Sequence, residues 1–284
     1  MTITTTGIAG AGAMGAGIAH VFAQAGFEVV LFDINRLQLE KARAVISKNL
    51  EAAVAKGKLK ETDKTATLGR ITFSEDINAL KAGLIVEAIA EKLEAKKQLF
   101  QRLAEINGAE TILATNTSSI PVTRIAKDIP HPERVAGMHF FNPVWSLHLV
   151  ELIRGQHTSE NTIQKAKAIA ATLGKQTILV KNMPGFATSR LDLIASLEAM
   201  RMVQEGVASA EDIDLAATVA YRHPMGPLRL SDVVGLDVRL DIAQQLSQTL
   251  GERYEPPRIL REMVARGELG QKSGKGFFDW SSQN

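Results

Sequence analysis

A chain of 284 residues is too long for one small domain and short for three, so one large or two medium domains are expected, either of which can bury a sizeable core. Its 33 basic and 31 acidic side chains leave a formal net charge of +2. That gives no broad field for capturing nucleic acid or an anionic membrane, so any anionic ligand must be held by a local cluster. Cysteine is absent, which excludes disulfides and thiolate metal sites and fits a reducing compartment. No apolar run approaches the roughly 20 residues a spanning helix needs, and the N-terminus MTITTTGIAGAG lacks a basic region followed by an apolar one. A cytoplasmic protein is expected.

From the N-terminus, apolar runs bounded by glycine or polar residues predict strands at 2–9, 28–32, 83–86, 111–114, 135–139, 149–153 and 176–180. Segments of helical period lie between several of them, at 14–25, 37–56, 92–106 and 162–173. The alternation implies βαβ units and a largely parallel sheet, an α/β fold. After Met183-Pro184-Gly185 the pattern turns helical, with periods at 190–205, 210–221 and 238–251. The boundary is therefore placed at 185, with an α/β domain over 1–185 and an all-helical domain over 186–284. Pro224, Gly226 and Pro227 read as loop punctuation. The tail GQKSGKGFFDW, rich in Gly and Lys, is by itself compatible with a frayed end.

Gly10-Ala11-Gly12-Ala13-Met14-Gly15 is a G-x-G-x-x-G run between the first strand and the first helix. The first glycine suits a tight turn, the second lets backbone N–H groups approach a pyrophosphate, and the third permits close helix–strand packing. The helix N-terminus, with Ala13 and Met14 in its first turn, then attracts phosphate charge. Asp33 closes the second strand, where its carboxylate would accept hydrogen bonds from an adenosine ribose and repel a 2′-phosphate. NAD is expected over NADP, with Arg36 nearby as the feature that works the other way. The bland reading of these residues is a glycine-rich turn with a surface aspartate, and the combined strand, glycines, helix and acid outweigh it.

MGAGIAHVFAQAGFEVVLFD, TNTSSI, GMHFFNP, LVELIRG, MPGF, HPMGPLRLSDVVGLD and KSGKGFFDW resemble, in order and spacing, the short-chain L-3-hydroxyacyl-CoA dehydrogenases, particularly the bacterial 3-hydroxybutyryl-CoA dehydrogenases. The likeness runs along essentially the whole chain. It implies a Rossmann-like domain followed by a helical domain that dimerises, and NAD-dependent oxidation of a 3-hydroxyacyl-CoA to the 3-oxoacyl-CoA, as in fatty acid β-oxidation. By the same resemblance His139 is the catalytic base and Glu151 its orienting carboxylate, with Ser118 and Asn142 as hydrogen-bonding partners. The chemistry agrees, because an imidazole titrating near neutrality can take the alcohol proton and a carboxylate behind it fixes the tautomer. The resemblance also places Glu91 and Lys96 near the cofactor and Lys56 on CoA. The other reading of Glu91 and Lys96 is the solvated face of a helix start, and that of Lys56, Lys58 and Lys60 a solvated charge run.

Two departures from the family pattern fall around the expected acyl site. The family commonly reads NPVPVMKLVE where this chain has NPVWSLHLVE, and PGF-x-x-N-R where this chain has Ser189. If the strands flanking Pro143 pair antiparallel with His139 opposite Glu151, Trp145 sits at the tip of their connection. It either walls an enlarged acyl pocket or packs in a satellite cluster or subunit contact. His148 either binds a substrate carboxylate or is an exposed surface histidine. Together Trp145 and Ser189 suggest a pocket reshaped for a bulkier or differently polar acyl group. Two other functions stay open: a dehydrogenase of a CoA-free 3-hydroxy acid, and an NAD-binding relative without turnover. No metal site is expected, since the six histidines are dispersed.

Overall fold

In a computed structural model, residues 3–281 are described. Thr2, the first residue of the expected opening strand, lies outside them. The chain divides into two compact units, Met1–Met183 and Pro184–Asn284. The first contains β1 (Thr5–Ala9), α1 (Ala13–Gln24), β2 (Glu28–Phe32), α2 (Arg36–Ala55), α3 (Glu61–Gly69), β3 (Ile71–Ser74), β4 (Leu84–Glu87), α4 (Leu93–Ile106), β5 (Ile112–Thr115), α5 (Val122–Ile125), β6 (Val135–Phe140), β7 (Leu149–Arg154), α6 (Glu160–Thr172) and β8 (Gln176–Lys181). The second contains α7 (Thr188–Glu205), α8 (Ala210–Ala220), α9 (Pro227–Val234), α10 (Leu236–Leu250) and α11 (Arg258–Ala265). Among the described residues no helix is long and apolar enough to cross a membrane.

The eight strands form one sheet in the order β3-β2-β1-β4-β5-β6-β7-β8. The pairs from β3 through to β6 are all parallel, β6 and β7 pair antiparallel, and β7 and β8 are parallel again. Strands such as Leu84–Glu87 and Ile112–Thr115 are buried throughout, as expected where helices cover both faces of a parallel sheet. Strand order reverses between β1 and β4, and the crevice beyond the C-terminal ends of those strands is where such sheets bind ligands. Asn35 starts α2 by accepting the Leu37 N–H at 3.0 Å, and Ser159 starts α6 by accepting the Thr162 N–H at 3.1 Å.

The structure adds elements to the sequence reading and overturns part of it. The strand β3, ITFS, is only four residues long and pairs with β2 alone. Its periodicity is too short to see, and α3 before it follows directly on the lysine-rich run. Pro227 is no loop residue: it is the first residue of α9, where a missing N–H costs nothing, with Gly226 as the N-cap. The Asp214 carboxylate accepts the Leu228 and Arg229 N–H groups at 2.9 and 2.8 Å, closing the start of that helix. The tail is not frayed either. Trp280 and Phe278 are buried in the helical unit's core with Leu197, Leu228 and Leu260, and the Asp232 carboxylate holds them in place.

Candidate active site

The turn after β1 can be made only by glycine. Gly10 has φ +105°, and a Cβ there would lie 2.7 Å from the Ala88 carbonyl oxygen. A Cβ on Gly15 would collide with the Gly10 carbonyl, whereas one on Gly12 would meet nothing within 4 Å. The first and third glycines thus serve close packing, and the second borders open space where a ligand can approach the start of α1. Asp33 accepts the Ala11 N–H on one oxygen at 2.8 Å and the Asn35 N–H on the other at 2.9 Å, so the end of β2 is tied to the glycine turn. Gly10, Gly12 and Asp33 line a cleft of about 500 Å3 with Gln38, Ile77 and Ala90. A phosphate-approachable turn, a carboxylate beside it and an apolar slot fit a dinucleotide such as NAD. Asp33→Ala is expected to weaken NAD binding by at least tenfold and to relax discrimination against NADP, as measured by protein fluorescence titration with both nucleotides.

Beyond Met14 a second cavity of about 340 Å3 gathers Glu91, Lys96, Ser118, His139 and Asn142. His139 leaves β6 opposite Glu151 of β7, in the antiparallel register that the sequence reading supposed. Glu151 is fully buried, and its Oε2 lies 3.1 Å from Nδ1 of His139. The imidazole also packs on Phe141, with ring centroids 4.4 Å apart. With Nδ1 turned to a carboxylate, the ring is held in one orientation at the wall of the cavity, where an imidazole can act as acid or base.

Lys96 is not on a solvated helix face. Its side chain is buried, with Nζ 2.6 Å from Oε1 of Glu87 and 3.1 Å from Oε2 of Glu91. Burial pushes the Glu87 carboxyl above its ordinary range against the opposing pull of Lys96. Glu91 is also pushed up by burial, but the Lys96 ammonium and the Thr117 and Ser119 hydroxyls outweigh this and hold it below the usual carboxylate value. Glu91 further accepts the Ser118 N–H at 3.2 Å, so the loop after β5 is fixed to the loop after β4.

Sequence reasoning missed two residues of this constellation. Glu87 closes β4, takes the Thr115 hydroxyl at 2.7 Å and anchors Lys96. An acid ending the apolar run GLIVE was the available signal. Asn116 accepts the Phe140 N–H at 2.8 Å and so clips the end of β6 beside His139; nothing in its spacing marks it.

The remaining expected residues lie elsewhere. Lys56 is the C-cap of α2 and lines a separate cleft together with Trp145 and the exposed His148. Trp145 does occupy the turn between β6 and β7, but it is not among the residues lining the His139 cavity; its indole stacks on His20 of α1. Within this unit the indole packs on α1, onto which the turn folds back. Ser189 stands half-buried in the first turn of α7, in the C-terminal unit. Among the described residues no group of three or more acidic or histidine side chains is placed to hold a metal ion.

Burial lowers the His20 imidazole from 6.5 to about 4. Above pH 6.5 both folded and unfolded chains carry it neutral and its contribution to stability is fully present. Between 6.5 and about 4 the unfolded chain binds the proton first, so stability is lost on acidification, by about 3 kcal/mol for this group. His20→Gln is expected to flatten the pH dependence of the urea midpoint across that window. An unchanged slope would remove His20 as its source.

The family model described as 3-hydroxyacyl-CoA dehydrogenase, NAD binding domain, matches residues 5–183, and that described as 3-hydroxyacyl-CoA dehydrogenase, C-terminal domain, matches residues 185–280. The chain is 42% identical to a 3-hydroxybutyryl-CoA dehydrogenase of Mycobacterium tuberculosis, covering 98% of this chain and 99% of the relative. It is 40% identical to a 3-hydroxyadipyl-CoA dehydrogenase of Escherichia coli, covering all of this chain and 60% of the relative. Among solved structures, the (S)-3-hydroxybutyryl-CoA dehydrogenase of Ralstonia eutropha superposes with a TM-score of 0.94 at 40% identity, covering 98% of this chain and 99% of that one.

Proposed function

Because the chain belongs to the 3-hydroxyacyl-CoA dehydrogenase family, we propose that it oxidises a 3-hydroxyacyl-CoA to the 3-oxoacyl-CoA, reversibly, with NAD. The observation that carries this reading is the buried His139–Glu151 pair facing a cavity at the end of the dinucleotide cleft. NAD, when bound along the glycine turn and Asp33, supplies the hydride acceptor.

The chain's own residues handle the proton. Nε2 of His139 takes the proton from the 3-hydroxyl as hydride leaves C3 and the carbon–oxygen double bond forms. Glu151, behind Nδ1, holds the ring in the tautomer that leaves Nε2 free of hydrogen and stabilises the imidazolium that results. In the reverse direction the same nitrogen returns the proton. The Ser118 hydroxyl is assigned to the reacting oxygen and the Asn142 carboxamide to positioning the substrate. Lys96, Glu91 and Glu87 shape the cofactor end of the cavity, and Lys56 is assigned to the phosphates of CoA.

The acyl group is proposed to depart from a plain four-carbon chain, on the ground that Ser189 stands where the family motif carries asparagine. A hydroxyl replaces a carboxamide's separate donor and acceptor there. Homodimerisation through the C-terminal unit is part of the same reading, supported by Leu191, Val207, Leu215, Val219 and Tyr221, large apolar side chains left exposed on that unit. A cytoplasmic location is supported by the absence of cysteine. Steady-state rates over aliphatic, branched, dicarboxylic and aromatic 3-hydroxyacyl-CoA thioesters, and over the CoA-free acids, test the proposal. Turnover of thioesters with a preference away from the unbranched four-carbon substrate is expected. Equal rates without CoA would overturn the CoA assignment, and a clear four-carbon preference would overturn the acyl assignment.

A further inference from the structure

Glu87 ends β4 with its side chain fully buried, and it is not among the residues that line the His139 cavity. Nothing in the proton transfer uses it, yet both of its oxygens are committed. Oε1 accepts the Ile89 N–H at 2.7 Å and the Lys96 ammonium at 2.6 Å, and Oε2 accepts the Thr115 hydroxyl at 2.7 Å. From each oxygen a chain of bonds runs to the loop after β5, which carries Ser118. By the first route Lys96 reaches Oε2 of Glu91 at 3.1 Å, and Oε1 of Glu91 accepts the Thr117 hydroxyl together with the Ser118 and Ser119 N–H groups, the last two at 3.2 Å. By the second the Thr115 hydroxyl, in register opposite Glu87 on β5, accepts the Thr117 N–H at 3.3 Å. Thr117 joins the two routes, so Glu87, Lys96, Glu91, Thr117 and Thr115 form a closed ring.

A carboxylate withdrawn from water is costly unless charge and hydrogen bonds compensate it. The ring holds two carboxylates and one ammonium, so Lys96 is shared between Glu87 and Glu91. With the charge taken from Glu87, the ammonium would be drawn wholly to Glu91. Oε2 of Glu91 would follow the ammonium, and Oε1 would leave the loop amides. We propose that Glu87 is a positioning residue: through Lys96 and Thr115 it fixes the loop from Thr117 to Ser119, and with it the Ser118 hydroxyl assigned to the reacting oxygen. The inference rests on the Ser118 assignment above and adds the residue that sets its place. An error of about 1 Å in the placement of a group at the reacting atoms can cost about 100-fold in rate, so rigid support of that hydroxyl bears directly on kcat.

Glutamine in place of Glu87 keeps the shape and an acceptor for Ile89 but removes the charge. In the NAD-free protein, Glu87→Gln is expected to speed amide hydrogen exchange at Ser118 and Ser119 by about tenfold or more, with Leu113 and Ala114 of β5 unchanged. A residue that only stabilised the sheet would raise exchange along β5 and in the loop together. In turnover with saturating NAD, the same variant is expected to lower kcat roughly 5- to 50-fold with little change in KM for the thioester. In a Ser118→Ala background it is expected to lower kcat by no more than about twofold, because its effect passes through Ser118. Ser118 and Ser119 amides that stay protected in Glu87→Gln, or an equal loss of kcat with and without Ser118, overturn the inference. If Glu87→Gln does not fold, Thr115→Val, which breaks the second route alone, is expected to release the same amides, and their unchanged exchange overturns it equally. Turnover of a 3-hydroxyacyl-CoA with those amides still protected in the variant overturns this inference alone, whereas released amides in a protein that turns over no thioester overturn the proposed activity alone.

Discussion

Replacing His139 by glutamine is expected to lower kcat roughly 10²–10⁴-fold while leaving NAD affinity nearly unchanged. Glutamine keeps a polar side chain of similar reach, and its amide can still donate to the buried Glu151, but it cannot accept a full proton from the alcohol. The dinucleotide cleft is built from Gly10, Gly12 and Asp33 at the ends of β1 and β2, so its geometry does not depend on the imidazole. Steady-state rates together with an NADH fluorescence titration separate the two effects. Unaltered turnover would remove His139 from the mechanism, and a parallel loss of NAD binding would mean that the substitution had damaged the sheet.

Asp232→Ala is expected to produce the largest loss of stability in the C-terminal unit, about 3–6 kcal/mol. The carboxylate is fully buried and accepts the Phe277 N–H at 3.0 Å, the Phe278 N–H at 2.9 Å and the Trp280 indole N–H at 2.9 Å. Removing it orphans three donors at once, two of them buried. The Arg229 guanidinium lies over the Phe278 and Trp280 rings, 4.1 and 5.3 Å from their centroids, and this stacking depends on the tail staying in place. Urea unfolding followed by Trp280 emission, in a Trp145→Phe background, reads the unit locally. Asp232→Asn keeps an acceptor and is expected to fall between the native chain and the alanine variant. A midpoint unmoved by Asp232→Ala would mean that apolar packing alone holds the tail.

The features legible in the sequence are those set by local spacing. The glycine turn and Asp33 at the end of β2 follow from spacing along neighbouring elements, whereas the pairing of His139 with Glu151 came from the family resemblance. What was hidden depends on distant partners. The tail GQKSGKGFFDW reads as loose until Asp232, more than forty residues upstream, is brought against it. Lys96 sits in EKLEAKK, which reads as a charged helix face, and only the parallel placement of β4 puts Glu87 beneath it. The position of Trp145 at a turn tip was legible, but the cavity it lines was not. That is decided by Gly17, which lets α1 approach, and by Lys175, which clamps the turn.

The most direct test of the central claim is NADH formation from L-3-hydroxybutyryl-CoA compared with free 3-hydroxybutyrate, by the native chain and by His139→Gln under the same conditions. Hydride transfer from a CoA thioester with His139 as base predicts NADH from the thioester, little from the free acid, and a loss of at least 10²-fold in the variant. Equal NADH formation from both substrates, or an undiminished rate in the variant, would contradict it.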